Sequence, residues 1–180
     1  MDGAEDPVAR LVGQWARERP DLRDDLGAMA TFGRMGRFNA FAGRAIEAVF
    51  EAHGLNTGEF DVLAALRREG EPFALTPSAL ARTLMLSPAG MTNRIDRLVA
   101  SGLVERQPDE DDRRSLRVAL TPAGRELVDA AVTDHLANEV RLLATLSAKD
   151  RANLDRIVAK LLGQFDDAGP AAPDGAPAAS

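Results

Sequence analysis

The chain has 180 residues, no cysteine, two histidines and a formal net charge of −6, with an isoelectric point near 5.0. That length can bury a sizeable core. The missing thiols exclude disulfides, thiolate metal sites and thiol redox sensing, and the acidic balance excludes a generally basic nucleic-acid coat. With His53 and His135 alone, a histidine zinc site would need several carboxylate ligands, so no metal or other cofactor is expected. No apolar run approaches the roughly 20 residues that cross a bilayer. No signal-peptide pattern opens the sequence, so no membrane association and a bacterial cytoplasmic location are expected.

Residues 7–19 place Val8, Leu11, Val12 and Trp15 at helical spacing before Pro20, which predicts an additional N-terminal helix within residues 1–20. The segment from Asp24 to His53 reads as one long helix within residues 21–54. Phe38, Phe41, Ala42, Ala45, Ile46, Val49 and Phe50 form its apolar stripe. Thirty helical residues would span about 45 Å, long for the core of one copy. Gly27, Gly33, Gly36 and Gly43 each weaken it by roughly 1 kcal/mol relative to Ala, a cost that close approach of another helix offsets.

Residues 55–121 hold the most informative pattern. Asn56-Thr57-Gly58-Glu59 resembles a capping box and opens the helix EFDVLAALRREG. Thr76-Pro77 and Ser87-Pro88 each pair a capping hydroxyl with proline at the first helical position, predicting two short helices in tandem. Gly102 ends the second. Leu103–Arg106 and the alternating run Ser115–Leu120 then read as the two strands of a hairpin. Helix, tight turn, helix and hairpin make a winged helix. The predicted fold is mainly α (α+β), a winged helix-turn-helix with a helical dimerisation domain.

Thr121-Pro122 starts a further helix, striped by Val128, Val132, His135, Leu136, Val140, Leu143 and Leu146. Ser147 caps a last one bearing Leu154, Ile157, Val158, Leu161, Leu162 and Phe165. These helices, residues 122–165, carry more apolar surface than a small winged helix buries. With the long helix they predict a homodimer interface, the alternative being packing within one chain. Residues 166–180, rich in Pro, Ala and Gly, predict a disordered tail.

On the helix after Ser87, Met91, Ile95, Leu98 and Val99 lie in one arc and face the core. Ala89, Asn93, Asp96, Arg97 and Ala100 fall opposite, and Thr92 and Arg94 flank the arc. A major groove admits such a helix, with Asn and Arg donating to base edges and Thr reaching methyls or phosphates. The hairpin tip DEDDRRS holds Asp112, Arg113, Arg114 and Ser115. Arginine at a wing tip suits the narrow, electronegative minor groove, and Asp112 can brace Arg114 through charge-assisted hydrogen bonds. Without the preceding helices, both features would read as solvated polar surface. The expected DNA-contacting set is therefore Ser87, Ala89, Thr92, Asn93, Arg97, Asp112, Arg113, Arg114 and Ser115. No phosphate loop, catalytic triad or metal cluster stands out, which argues against an enzyme. A winged helix that binds protein instead of DNA is the other class to weigh.

The run from Thr57 to Gly124 resembles the MarR family of bacterial regulators. Asp112-Arg113-Arg114-Ser115, the strand end Val118-Ala119-Leu120-Thr121 and Gly124 carry the match; the flanking helices extend it to most of residues 24–165. The resemblance implies a homodimer, a recognition helix at 88–100, a wing whose Arg114 enters the minor groove, and a repressor that binds palindromic operator DNA and is released by a small ligand. Within the family the chain is similar to the urate-responsive, PecS-like branch. The shared features are an extra N-terminal helix with Trp15, EFDVLAALRR with Asp61, MTNRIDRL with Arg94 and LVER with Arg106. That narrower resemblance implies a urate or related purine site made by Trp15, Asp61, Arg94 and Arg106. The residues themselves leave an alternative open, in which Asp61 and Arg94 form a structural ion pair and Trp15 is plain core. A phenolic compound or an antibiotic is the alternative ligand within the family.

Overall fold

The computed structural model describes residues 6–109 and 115–166. Helix α1 (Pro7–Glu18) begins where the Asp6 carboxylate accepts the Val8 amide at 3.0 Å. A short 3-10 turn, Pro20–Leu22, reverses the chain into α2 (Leu26–Ala52). The two helices meet where Val8 sits over Gly33 and the other Asp6 oxygen pairs with Arg34 at 2.7 Å. A methyl group at position 33 would lie 2.9 Å from Val8 Cγ1. Gly33 is thus the place where close approach repays a missing side chain, while Gly27, Gly36 and Gly43 face open space.

The winged helix follows. Helix α3 (Thr57–Glu69) starts in the expected capping box: the Asn56 side chain accepts the Glu59 amide and the Glu59 carboxylate accepts the Asn56 amide, both at 3.0 Å. Such a box satisfies two amide donors that the first helical turn leaves open. Strand β1 (Ala74–Leu75) comes next, then α4 (Pro77–Thr83) and α5 (Pro88–Ala100). Thr76 Oγ1 accepts from the Ala79 amide and Ser87 Oγ from the Gly90 amide, each at 3.2 Å. Caps of this kind stabilise a helix by about 1 kcal/mol. Strands β2 (Val104–Pro108) and β3 (Leu116–Leu120) form the hairpin. The antiparallel sheet has the order β1-β3-β2, with Ala74 opposite Ala119 and Val104 opposite Leu120. The chain continues through α6 (Pro122–Leu142) and α7 (Ala148–Asp166).

The core is centred on α3. Val62, Leu63 and Leu66 are fully enclosed, and Phe50, Leu80, Met91, Ile95, Leu98, Val104, Val118 and Val128 close round them. Stacked rings of Phe50 and Phe60, with centroids 4.0 Å apart, join the end of α2 to the start of α3, and the His135 ring of α6 packs against both. The described residues fall into two compact units that divide within α6, after Asn138. Among them, no helix is long and apolar enough to cross a membrane.

Two apolar stripes divide differently from the pattern in the sequence. On α2, Ala42 and Phe50 are buried, but Phe38 and Phe41 stay half exposed and Phe32 is 73 % exposed. On α6 the inward face is Gly124, Val128, Ala131 and Asn138, whose amide donates to the Ala45 carbonyl at 3.3 Å. Leu136 and Val140, part of the sequence stripe, are exposed. Periodicity identifies an apolar face, and it does not say which part of that face its own chain covers.

Gly124 sits in the first turn of α6 directly against the Leu103 carbonyl, and a Cβ there would fall far inside van der Waals contact with that backbone oxygen. Thr121 fastens the same joint: its hydroxyl accepts from the Gly124 amide at 3.0 Å and donates to the Gly102 carbonyl at 2.8 Å. Because the clash is with backbone, Gly124→Ala should destabilise the fold by about 3 kcal/mol, read as a lowered urea midpoint with an unchanged slope.

Candidate nucleic-acid interface

Helix α5 has two faces. Met91, Ile95 and Leu98 are each 1 % exposed, and Val99 packs against the same core. Ala89, Thr92, Asn93, Asp96, Arg97 and Ala100 are exposed, together with the capping Ser87. The Thr92 hydroxyl turns back to donate to the Pro88 carbonyl at 3.0 Å. The hairpin closes where the Asp109 amide donates to the carbonyl of half-buried Ser115 at 3.0 Å. Asp112, Arg113 and Arg114, expected at the tip of the wing, lie outside the described residues.

Two ion pairs tie this surface to its surroundings. Arg106 on β2 reaches Asp96 of α5 at 2.5 Å, joining the hairpin to that helix. Arg97 Nε lies 3.2 Å from Glu59 Oε1, and Glu59 is largely buried whereas the Arg97 side chain is 60 % exposed. Periodicity identified the outward position of Arg97. For Glu59 the local pattern specifies only a cap, because nothing local connects it to a residue 38 positions further on.

The first turn of α3 meets a second arginine of α5. Arg94 is half-buried, and its Nη1 donates to the Gly58 carbonyl at 3.4 Å. A methyl group at position 58 would sit 2.6 Å from Arg94 Cζ, so glycine leaves the room that the guanidinium occupies. Asp61, half-buried on the same helix, has its pKa raised from 3.8: burial disfavours the carboxylate, and the positive charges of Arg94, Arg68 and His135 only partly compensate. Arg68 and His135 also line a cavity of about 590 Å³ with Phe60, Ala64, Arg67 and Val132, within the size range of small-molecule sites.

Of the four residues that the sequence suggests for an anion, Asp61 and Arg94 therefore come together. Arg106 stands with Asp96, on the opposite side of α5 from Arg94. Trp15 is 45 % exposed and lines a shallow hollow with Gln14 and Glu18. Since α1 doubles back through Pro20–Leu22 to Leu26, Trp15 lies beside the first turns of α2, and α3 departs from its far end. A 27-residue helix is about 40 Å long. Within one copy, Trp15 and Asp61 therefore lie toward opposite ends of α2.

A MarR family model matches residues 53–115. Over 154 residues the chain is 37 % identical to the HTH-type transcriptional regulator PecS of Dickeya dadantii, covering 86 % of this chain and 92 % of that protein. The chain belongs to the MarR family. It is 30 % identical over 118 residues to the transcriptional repressor MprA of Escherichia coli K12, covering 66 % of each. Among solved structures, Sco5413 of Streptomyces coelicolor, a MarR family transcriptional regulator, superposes with a TM-score of 0.64 at 27 % identity over 78 % of this chain and 96 % of that one. A mutant of E. coli MarR complexed with operator DNA superposes with a TM-score of 0.63 at 24 % identity over 82 % and 97 %. The winged-helix reading holds, and this chain is a transcriptional regulator, not an enzyme.

The sign of the Asp61 shift fixes a stability test. The folded protein keeps the Asp61 proton to higher pH than the unfolded chain, which titrates near 3.8. The charged carboxylate therefore costs stability above that range, and the cost vanishes as pH falls through it. Asp61→Asn should raise the urea midpoint at pH 7, and its advantage over wild type should shrink steadily toward pH 4.

Proposed function

We propose that two copies of this chain form a dimer that binds palindromic operator DNA as a repressor and is released by a planar anion, with urate or a related purine as the ligand class. The observation that carries the DNA reading is α5 itself: capped, buried along Met91, Ile95 and Leu98, exposed along Asn93 and Arg97, and followed directly by a hairpin. An arginine and an asparagine on an exposed recognition helix suit bidentate contacts to guanine and adenine edges. The half-sites should lie about 10 bp apart, centre to centre, if both reading helices enter one face of the duplex. Dimerisation is supported by the apolar residues that one copy leaves uncovered, Phe32, Phe38 and Phe41 of α2 and Leu136 and Val140 of α6. The proposed wing contacts, Asp112, Arg113 and Arg114, complete the DNA-binding surface in this reading.

The ligand reading rests on Arg94 and Asp61. An anion at Arg94 competes with Asp61 for its counter-charge and leaves a carboxylate that burial already disfavours. Separating the first turn of α3 from α5 relieves that conflict and moves the helix that carries Arg97. A ligand shifts such an equilibrium only by its differential affinity for the two forms; about 3 kcal/mol of coupling corresponds to roughly 150-fold weaker DNA binding. Trp15 and Arg106 join this site only through a rearrangement or a second copy.

Gel shifts on the chain's own upstream DNA test both parts. Arg97→Ala should weaken operator binding by about tenfold or more, with dimers still seen by sedimentation. Urate should release wild-type protein and leave Arg94→Ala bound. Full protection of the operator at millimolar urate, with unchanged Trp15 fluorescence, overturns the ligand assignment; the DNA assignment falls if no duplex is bound even at low salt.

A further inference from the structure

We propose that Glu59 is a positioning residue for sequence readout, its carboxylate drawing the Nε edge of Arg97 toward α3 by charge so that the guanidinium favours one orientation toward the bases. The inference rests on Arg97 contacting DNA. Arg97 stands on the exposed face of α5, where a free arginine samples many rotamers, yet its Nε lies 3.2 Å from Glu59 Oε1. Glu59 itself is fixed. Its Oε2 accepts the Asn56 amide at 3.0 Å, and its side chain is only 15 % exposed. The residues that follow it on α3, from Phe60 onward, anchor that helix in the core. Using Nε for this contact leaves both terminal nitrogens of Arg97 available for a two-point contact with a base.

Capping alone does not call for a charge at position 59, because Gln fills the same role in a capping box. The carboxylate has a second consequence. A negative charge behind the reading helix opposes phosphates as much as it orients the arginine, so it weakens binding to sequences that offer Arg97 no partner. Discrimination rises from both sides, by a better fit to the correct site and a penalty on every other.

Glu59→Gln isolates this role, since the amide oxygen can still accept from Asn56. The full-length protein would be titrated, by fluorescence anisotropy at one salt concentration, against a duplex selected by wild type from a random pool and against a scrambled duplex of equal length. For Glu59→Gln we expect about fivefold weaker binding to the selected duplex, about twofold tighter binding to the scrambled one, and so about a tenfold loss of discrimination, the size of one compromised bidentate contact. The melting temperature should be nearly unchanged. Arg97→Lys, which keeps the charge and lacks the fork, should lose discrimination to the same extent, and Glu59→Gln added to Arg97→Ala should cost nothing further. Intact discrimination in Glu59→Gln, with Arg97→Ala impaired, overturns the proposal; full discrimination in Arg97→Lys does the same. Unimpaired binding by Arg97→Ala instead overturns the DNA-contact reading beneath it.

Discussion

Five successive residues of α3, Val62 to Leu66, are buried. A helix enclosed on consecutive positions has no solvent face along that stretch, so it cannot rotate or slide without breaking the packing of α2, α4, α5, β1 and β3 around it. Its polar residues are therefore pressed to its ends. At the first turn, Gly58, Glu59 and Asp61 meet Arg94 and Arg97, three residues apart on α5. The same short contact thus supports the anion site proposed above and the arginine assigned to DNA. Whatever shifts the first turn of α3 against α5 is felt at both arginines, with no longer pathway through the molecule required.

The charge arrangement follows a similar logic. A chain with net charge −6 is repelled by DNA at long range, so attraction has to come from individual side chains on the approaching face. Two arginines near that face are each matched with a carboxylate, Arg97 with Glu59 and Arg106 with Asp96. Pairs whose arginine stays open to solvent add little to stability. In the reading proposed above, the Glu59 carboxylate would instead bias where the long, flexible Arg97 side chain points before DNA arrives.

The features legible in the sequence were those set by neighbours along the chain. Asn56, Thr76 and Ser87 marked helix starts because a capping oxygen needs only the amide two or three residues on. The inward arc of α5 was legible because Met91, Ile95 and Leu98 repeat with the helical period. Strand β1 was not, since two residues make no pattern and Ala74–Leu75 is a strand only because β3 lies beside it. The pairing of Glu59 with Arg97 joins two helices, and no local rule relates them. Met85 marks a different limit. It takes a left-handed backbone, φ 51°, in the turn between α4 and α5, a place where glycine would have announced the turn.

Trp15 shows how far a resemblance carries and where geometry must take over. The narrower resemblance implies that a tryptophan, an aspartate and two arginines share one site, but α1 lies along the start of α2 while α3 leaves from its end. Trp15 and Asp61 therefore stand toward opposite ends of α2 within one copy, farther apart than the length of a purine. The uncovered rings of Phe32, Phe38 and Phe41 lie along α2 itself. Were a second copy to cover them with its own α2 running antiparallel, its N-terminal helix would be carried toward the end where α3 begins. A site built on both Trp15 and Asp61 would then span two copies, and the surface that makes the dimer would also decide whether the ligand can be bound.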